Sequence, residues 1–279
     1  EVLEVIEKYR ITKAAMVPAM IQVMLLEPQC PETDFSSLAY ILYGGSPIAE
    51  SLLRKAMKTF SCDFVQIYGL TETGNCAVCL PETAHTSSNT NLLKSAGKPF
   101  PGVSVAIVDS AGKKLPPSQI GEIWLKSPAK MLGYWKLPEA TAKTLVDGWI
   151  HTGDAGYCDK EGYIYICDRL KDMICYAGEN VYPAEIENIL YEHPAIQEVG
   201  VIGVPDEDFG ESIKAIVVLK AGMQAKALDI INFVRGKLAD FKLPRSVEFV
   251  QTLPRTPSGK VQKGKLREKY WQGYQRQVN

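Results

Sequence analysis

Phe64-Val65-Gln66-Ile67-Tyr68-Gly69-Leu70-Thr71-Glu72-Thr73-Gly74 is an apolar strand that runs directly into three hydroxyls, one carboxylate and two glycines. Upstream, the hydrophobic pattern alternates between helix and strand. Val2, Leu3, Val5, Ile6 and Tyr9 fall on one helical stripe, and an apolar strand is expected at 14–17. Pro18 suits the first position of a helix over 18–26. A buried strand at 38–43 ends in Gly44-Gly45, and a helix over 49–60 leads back to the strand at 64–67. Strands alternating with helices predict a mainly parallel sheet, whose ligands bind at the carboxyl ends of the strands. Both Gly44-Gly45-Ser46 and Tyr68-Gly69 lie at such ends.

The character changes at Gly97. Short strands are expected at 103–108, 120–126, 156–158 and 163–167, with Ser110-Ala111-Gly112 and Asp159-Lys160-Glu161-Gly162 as turns. After Arg169 it changes again. The pattern gives a helix at 184–191, strands at 199–204 and 212–219, a helix at 228–238, a strand at 246–250 and a last helix from Lys263. The expected fold class is therefore α/β plus α+β. Residues 1–168 form part of a large α/β domain with a β-rich subregion over about 97–168, and 169–279 form a small α+β domain. A chain of 279 residues is long enough for two such cores. It opens on Glu1 in mid-pattern, as a piece of something longer would.

Composition excludes several function classes. Lys plus Arg number 31 and Asp plus Glu 32, so charge gives no reason to expect nucleic acid or an anionic membrane. No apolar run is long enough to span a bilayer, and residues 1–10 have no signal-peptide pattern. Seven scattered cysteines suit a reducing compartment, and a cytoplasmic location is expected. Cys76-Ala77-Val78-Cys79 is a lone CxxC with only His85 near it, so small buried apolar side chains are expected rather than a zinc site.

Four clusters carry chemistry. In the first, Tyr68 offers a flat face for a base, Thr71 a hydroxyl for phosphate oxygen, and Glu72 a hard ligand for Mg²⁺. The plainer alternative is a polar turn with a satisfied glutamate. In the second, the paired glycines of Gly44-Gly45-Ser46-Pro47 admit close approach of backbone to a flat ligand; an ordinary strand-to-helix turn competes with that. In the third, Trp149-Ile150-His151-Thr152-Gly153-Asp154 places Asp154 at a turn where it suits ribose hydroxyls, with Arg169 further on; a surface salt bridge is the alternative. His151 has no nucleophile near it in sequence, so an orienting role is expected. In the fourth, Pro254-Arg255-Thr256-Pro257-Ser258-Gly259-Lys260 presents a lysine on a turn, either merely solvated or neutralising charge at a phosphoryl centre. The chain has neither a P-loop nor a dinucleotide fingerprint.

In this order the clusters resemble the adenylate-forming superfamily of acyl-CoA synthetases, peptide-synthetase adenylation domains and beetle luciferases. The likeness runs from Val17-Pro18 to Lys260-Val261-Gln262-Lys263 and includes Gly121–Leu125, Met131–Trp135 and Gly178-Glu179-Asn180-Val181-Tyr182-Pro183. The resemblance implies that Gly44, Gly45, Ser46, Tyr68 and Gly69 hold adenine, and that Thr71 and Glu72 serve phosphate and Mg²⁺. It further implies that Asp154 and Arg169 hold ribose, that Lys171 is a hinge, that Lys260 assists adenylation, and that Gly178-Glu179 approaches the thiol in a second step. The implied substrates are ATP, a carboxylic acid and coenzyme A, with AMP released. The family's glycine-rich phosphate loop has no counterpart before Tyr68, and Ala177 stands where a glycine is common. The expectation is an acyl-CoA synthetase acting on a fatty or other hydrophobic acid, here without its amino-terminal part and inactive alone. A non-catalytic nucleotide-binding or interaction fragment, and an enzyme that transfers to a carrier protein, are the alternatives.

Overall fold

A computed structural model of the chain describes residues 1–257 and 259–274. The chain folds as two compact units, Glu1–Ile166 and a second beginning at Cys167. In the first unit, α1 (Val2–Lys8), β1 (Lys13–Met16), α2 (Pro18–Leu26), β2 (Tyr40–Gly44), α3 (Glu50–Phe60) and β3 (Asp63–Tyr68) alternate as the sequence pattern requires. Strands β1, β2 and β3 are parallel neighbours, with Tyr43 opposite Gln66 and Gly44 opposite Ile67. The helix α3 buries Leu53, Ala56 and Phe60 on one face. These join Ile41, Tyr43 and Phe64 in one core, where each large side chain removed from water stabilises the fold by about 1.5–3 kcal/mol. The sheet continues antiparallel through β4 (Val78–Leu80) and, after α4 (Glu82–His85), β5 (Lys98–Pro99).

The β-rich part comprises β6 (Ser104–Val108), β7 (Gly121–Lys126), α5 (Pro138–Thr144), β8 (Leu145–Val146), β9 (Trp149–Cys158) and β10 (Ile164–Arg169). Its sheet runs in the order β10-β9-β7-β6, with β8 beside β9. Strand β9 is far longer than the expected 156–158, because Gly153 sits inside the strand rather than in a turn.

The second unit contains β11 (Ile174–Tyr176), β12 (Glu179–Val181), α6 (Pro183–Leu190), β13 (Ile196–Asp206), β14 (Gly210–Leu219), α7 (Ala227–Val234), β15 (Ser246–Phe249) and α8 (Lys263–Glu268). The β13–β14 hairpin is antiparallel and β15 adds parallel to β14. Val199, Val201, Ile213 and Ala215 pack with α6 and α7, whereas Ile202, Val204, Ile216 and Val218 pack with Leu253 and Leu266. Both faces are covered, which is why Val199-Gly-Val-Ile-Gly-Val204 reads as a continuous apolar run instead of an alternating one. No helix among the described residues is long and apolar enough to cross a membrane. The cysteines differ in setting: Cys30 is buried, Cys79 is half-buried and Cys175 is exposed, and Cys76 is exposed too, against the expectation of a small buried side chain there.

A buried polar group lies beneath the parallel sheet. The Tyr43 hydroxyl is 2.9 Å from His85 Nε2, and His85 Nδ1 is 2.9 Å from the Pro81 carbonyl oxygen. That oxygen only accepts, so Nδ1 carries the proton and Nε2 accepts from Tyr43. Burial depresses the His85 pKa below its ordinary 6.5. The stability tied to neutral His85 is therefore fully present above pH 6.5 and lost as pH falls through the depressed value. His85→Gln is expected to flatten the loss of β2 and β3 amide protection between about pH 7 and 5. An unchanged acid slope in the variant means that another group carries it.

Candidate active site

The carboxyl ends of β2 and β3 are built for close backbone approach. A Cβ on Gly44 would lie 2.3 Å from the Ile67 carbonyl oxygen, and one on Gly69 would lie 2.4 Å from that of Asn75. Gly44 is thereby held beside Ile67, with Gly45 and Ser46 following at the end of β2 and Tyr68 at the end of β3. The chain then turns through a 3-10 turn, Thr71–Thr73. Buried Thr73 staples this turn: its Oγ1 accepts from Leu70 N and donates to Leu70 O, both at 2.9 Å. Thr71 is left exposed and Glu72 half-buried.

Glu72 is fixed from outside the strand. Its Oε1 accepts from the Tyr134 hydroxyl at 2.5 Å, and its carbonyl oxygen accepts from Met131 N at 2.8 Å. Desolvation first, and the bond to Glu72 second, raise the Tyr134 pKa, so the phenol stays a donor. Among the described residues no three His, Cys, Asp or Glu side chains cluster as a metal site. One fixed carboxylate would fit Mg²⁺, which is usually held by one or two carboxylates together with substrate phosphates.

Asp154 is placed by a bulge. Glu122 of β7 pairs with Ala155 and Trp124 with His151, so one residue of β7 faces three of β9, Thr152 to Asp154. Gly153 makes this possible with φ +68. Three of the backbone groups in the bulge take side-chain partners. Gly153 N donates to Glu122 Oε1 at 3.0 Å, Thr152 Oγ1 donates to Ile123 O at 2.6 Å, and Asp154 N donates to Thr152 Oγ1 at 3.0 Å. Glu122 Oε2 accepts from Trp124 Nε1 at 2.8 Å, and the Trp124 ring stacks on His151 at 3.9 Å. The bulge turns the Asp154 carboxylate, 4% exposed, onto the Tyr68 hydroxyl at 2.7 Å. Asp154 is thus in a bulged strand, not at the turn expected from sequence, and His151 is an aromatic stacking partner.

In the second unit, Asp168 Oδ1 accepts from Arg169 N and Oδ2 from Ala184 N, each at 2.8 Å. Lys171 lies exposed in the 3-10 turn Leu170–Asp172. Ala177 and Gly178 form the two-residue turn of the β11–β12 hairpin, with φ +53 and +84, and Glu179 follows, exposed. Lys260 is exposed at the end of a turn tied by Thr256 N to Lys260 O, 2.8 Å, and by Arg255 Nη1 to Gly259 O, 2.5 Å. Ser258 of this motif lies outside the described residues.

The first unit thus joins Gly44, Gly45, Ser46, Tyr68, Gly69, Thr71, Glu72 and Asp154 around two strand ends. The second carries Arg169, Lys171, Gly178, Glu179 and Lys260. Sequence reasoning gave no role to Tyr134, Glu122 or Thr152. The stretches Gly121–Leu125 and Met131–Trp135 were themselves the available signal.

Residues 1–135 match the AMP-binding enzyme model and 185–260 the AMP-binding enzyme C-terminal domain model. The chain belongs to the AMP-binding enzyme family. Among relatives of this family, fatty acid–[acyl-carrier-protein] ligase ScoC of Streptomyces coeruleorubidus is 50% identical over the whole chain, which covers 54% of that protein. Medium/long-chain-fatty-acid–CoA ligase FadD8 of Mycobacterium tuberculosis is 38% identical over the whole chain, covering 49% of it. Amide bond synthetase McbA of Marinactinospora thermotolerans superposes with a TM-score of 0.88 at 38% identity, over 96% of this chain and 55% of that one. The chain spans about half the length of the curated relatives it matches. Its mixed α/β architecture is that of the carboxyl-terminal part of adenylate-forming enzymes.

Gly153→Ala is expected to destabilise the first unit by about 1–2 kcal/mol, the cost of a Cβ in left-handed backbone. The denaturant midpoint reads it, and a midpoint equal to that of the parent chain contradicts a strained bulge.

Proposed function

We propose that this chain is the carboxyl-terminal part of an ATP-dependent acid–thiol ligase acting on a fatty or other hydrophobic acid. The observation that carries the reading is the Tyr68–Asp154 bond beside the Gly44-Gly45 turn. It sets a flat aromatic face, a backbone cradle and a ribose-type carboxylate at the mouth of a parallel sheet. In the first step the acid's carboxylate oxygen bonds to the α-phosphorus of ATP as the bond to pyrophosphate breaks. Thr71 is assigned to the phosphate and Glu72, held by Tyr134, to Mg²⁺, which supplies charge neutralisation when bound. Asp154 and Arg169 are assigned to ribose hydroxyls, and Lys260 to the charge that develops during adenylation. In the second step a thiol sulfur bonds to the acyl carbon and AMP leaves. The Gly178-Glu179 turn is assigned to that step, with rotation about Lys171 exchanging it for Lys260.

The acceptor is coenzyme A or a carrier-protein thiol. The 50% identity to a carrier-protein ligase supports the second, and the CoA ligase relatives support the first. Seven free cysteines suit a cytoplasmic setting.

Lys260→Ala, in the protein extended at its amino end to the length of its relatives, is expected to abolish acid-dependent ATP–pyrophosphate exchange. Thioester formation from supplied acyl-adenylate should persist; equal loss of both half-reactions would sink the role of Lys260. The 279-residue chain alone is expected to show no exchange, and robust exchange by it would overturn that reading.

A further inference from the structure

Three residues beyond exposed Lys260 stands a lysine of the opposite kind. Lys263, at the start of α8, has a side chain only 13% exposed. Its ammonium lies 3.0 Å from Glu187 Oε1 and 3.4 Å from Asp168 Oδ2. One turn further along α8, Arg267 Nη2 lies 2.7 Å from Asp172 Oδ1, with both side chains nearly buried. The two cations are four apart on one helix. The two aspartates are four apart as well, and bracket Arg169, Leu170 and Lys171. Glu187 is in turn held by Val201 N at 2.7 Å, and Asp168 by Ala184 N at 2.8 Å. The carboxylates are therefore anchored in the body of the second unit.

We propose that Lys263 and Arg267 are positioning residues that lock the Lys260 segment to the Asp168–Asp172 segment, so that Lys260 and the hinge move as one body. The proposal rests on the roles given above to Lys260 and Lys171. Stability alone is a poor reason for this cluster, because buried ion pairs are commonly replaced by apolar side chains without loss. What paired charges add is a fixed geometry. The stretch between the clamp and Lys260 is stiff enough to transmit it. Gln262 N donates to Pro254 O at 2.8 Å, Gln262 Nε2 donates to Arg255 O at 3.0 Å, and Arg255 pairs with Val261 as an isolated bridge. Lys263 also sits between two carboxylates that repel each other. Their attraction raises its pKa against burial, while burial first, and Asp168 among the charges, raises that of Glu187. Lys263 therefore stays charged in the clamp.

Hydrogen exchange on the 279-residue chain tests the lock directly. Lys263→Met is expected to speed exchange at Gly259, Lys260 and Gln262 by about tenfold or more. Lys269→Met, which breaks the exposed pair with Glu248, is expected to leave them unchanged. Unchanged protection in Lys263→Met overturns the proposal. Should that variant not fold, Lys263→Gln, which keeps a donor without the charge, replaces it under the same criterion. In the extended protein, Lys263→Met is expected to lower kcat of pyrophosphate exchange about 100-fold, with KM for ATP and the thioester step each within about threefold, and Lys263→Arg to restore most of the rate. Equal loss of both half-reactions, or no rescue by arginine, contradicts a positioning role. If Lys260→Ala leaves exchange intact, the role of Lys260 fails, and the lock stands or falls on hydrogen exchange.

Discussion

The hydrogen bond from Tyr68 to Asp154 depends on two sheets meeting in one register. Tyr68 is delivered by the parallel sheet, where Gly44 lies too close to the Ile67 carbonyl oxygen to carry a side chain. Asp154 is delivered by the antiparallel sheet, at the end of a bulge that gives β9 two extra residues around Gly153. Without the two extra residues the β9 pairing would run on from His151 and set Asp154 opposite Gly121. Glu122 and Thr152 take up Gly153 N, Asp154 N and Ile123 O, so these groups of the bulge are paired.

Glu72 shows the same division of labour. Its side chain needs a partner that the strand itself cannot provide, and Tyr134 supplies one from a loop also pinned by Met131 N. In the second unit the corresponding principle is ionic. Lys260 is exposed, as a group assigned to a transient charge should be, while Lys263 and Arg267 on the adjoining helix are held by carboxylates flanking Lys171.

The alternation of elements from Val2 to Tyr68 was legible because each element has its own period and its own punctuation, such as Pro18 at the start of α2. The glycines at strand ends were legible for the same reason. The bulge was not. Gly153 reads as a turn in sequence, since a strand interior rarely tolerates glycine, and only the pairing of Glu122 with Ala155 shows that the strand continues. The role of Tyr134 was hidden because its partner lies 62 residues away in sequence. Lys263 was hidden because a lysine beginning a helix ordinarily faces water. The β13–β14 hairpin was found but shortened, because its polar ends contribute pairing without hydrophobic signal.

The central claim is that the strand ends of the first unit form an adenine nucleotide site. Titration of the isotope-labelled 279-residue chain with AMP, followed by amide chemical shifts, tests it most directly. The account predicts saturable shifts concentrated at Gly44, Gly45, Tyr68, Gly69, Gly153 and Asp154, reduced by Asp154→Asn. Shifts confined to other surfaces, or none up to millimolar AMP, would contradict it.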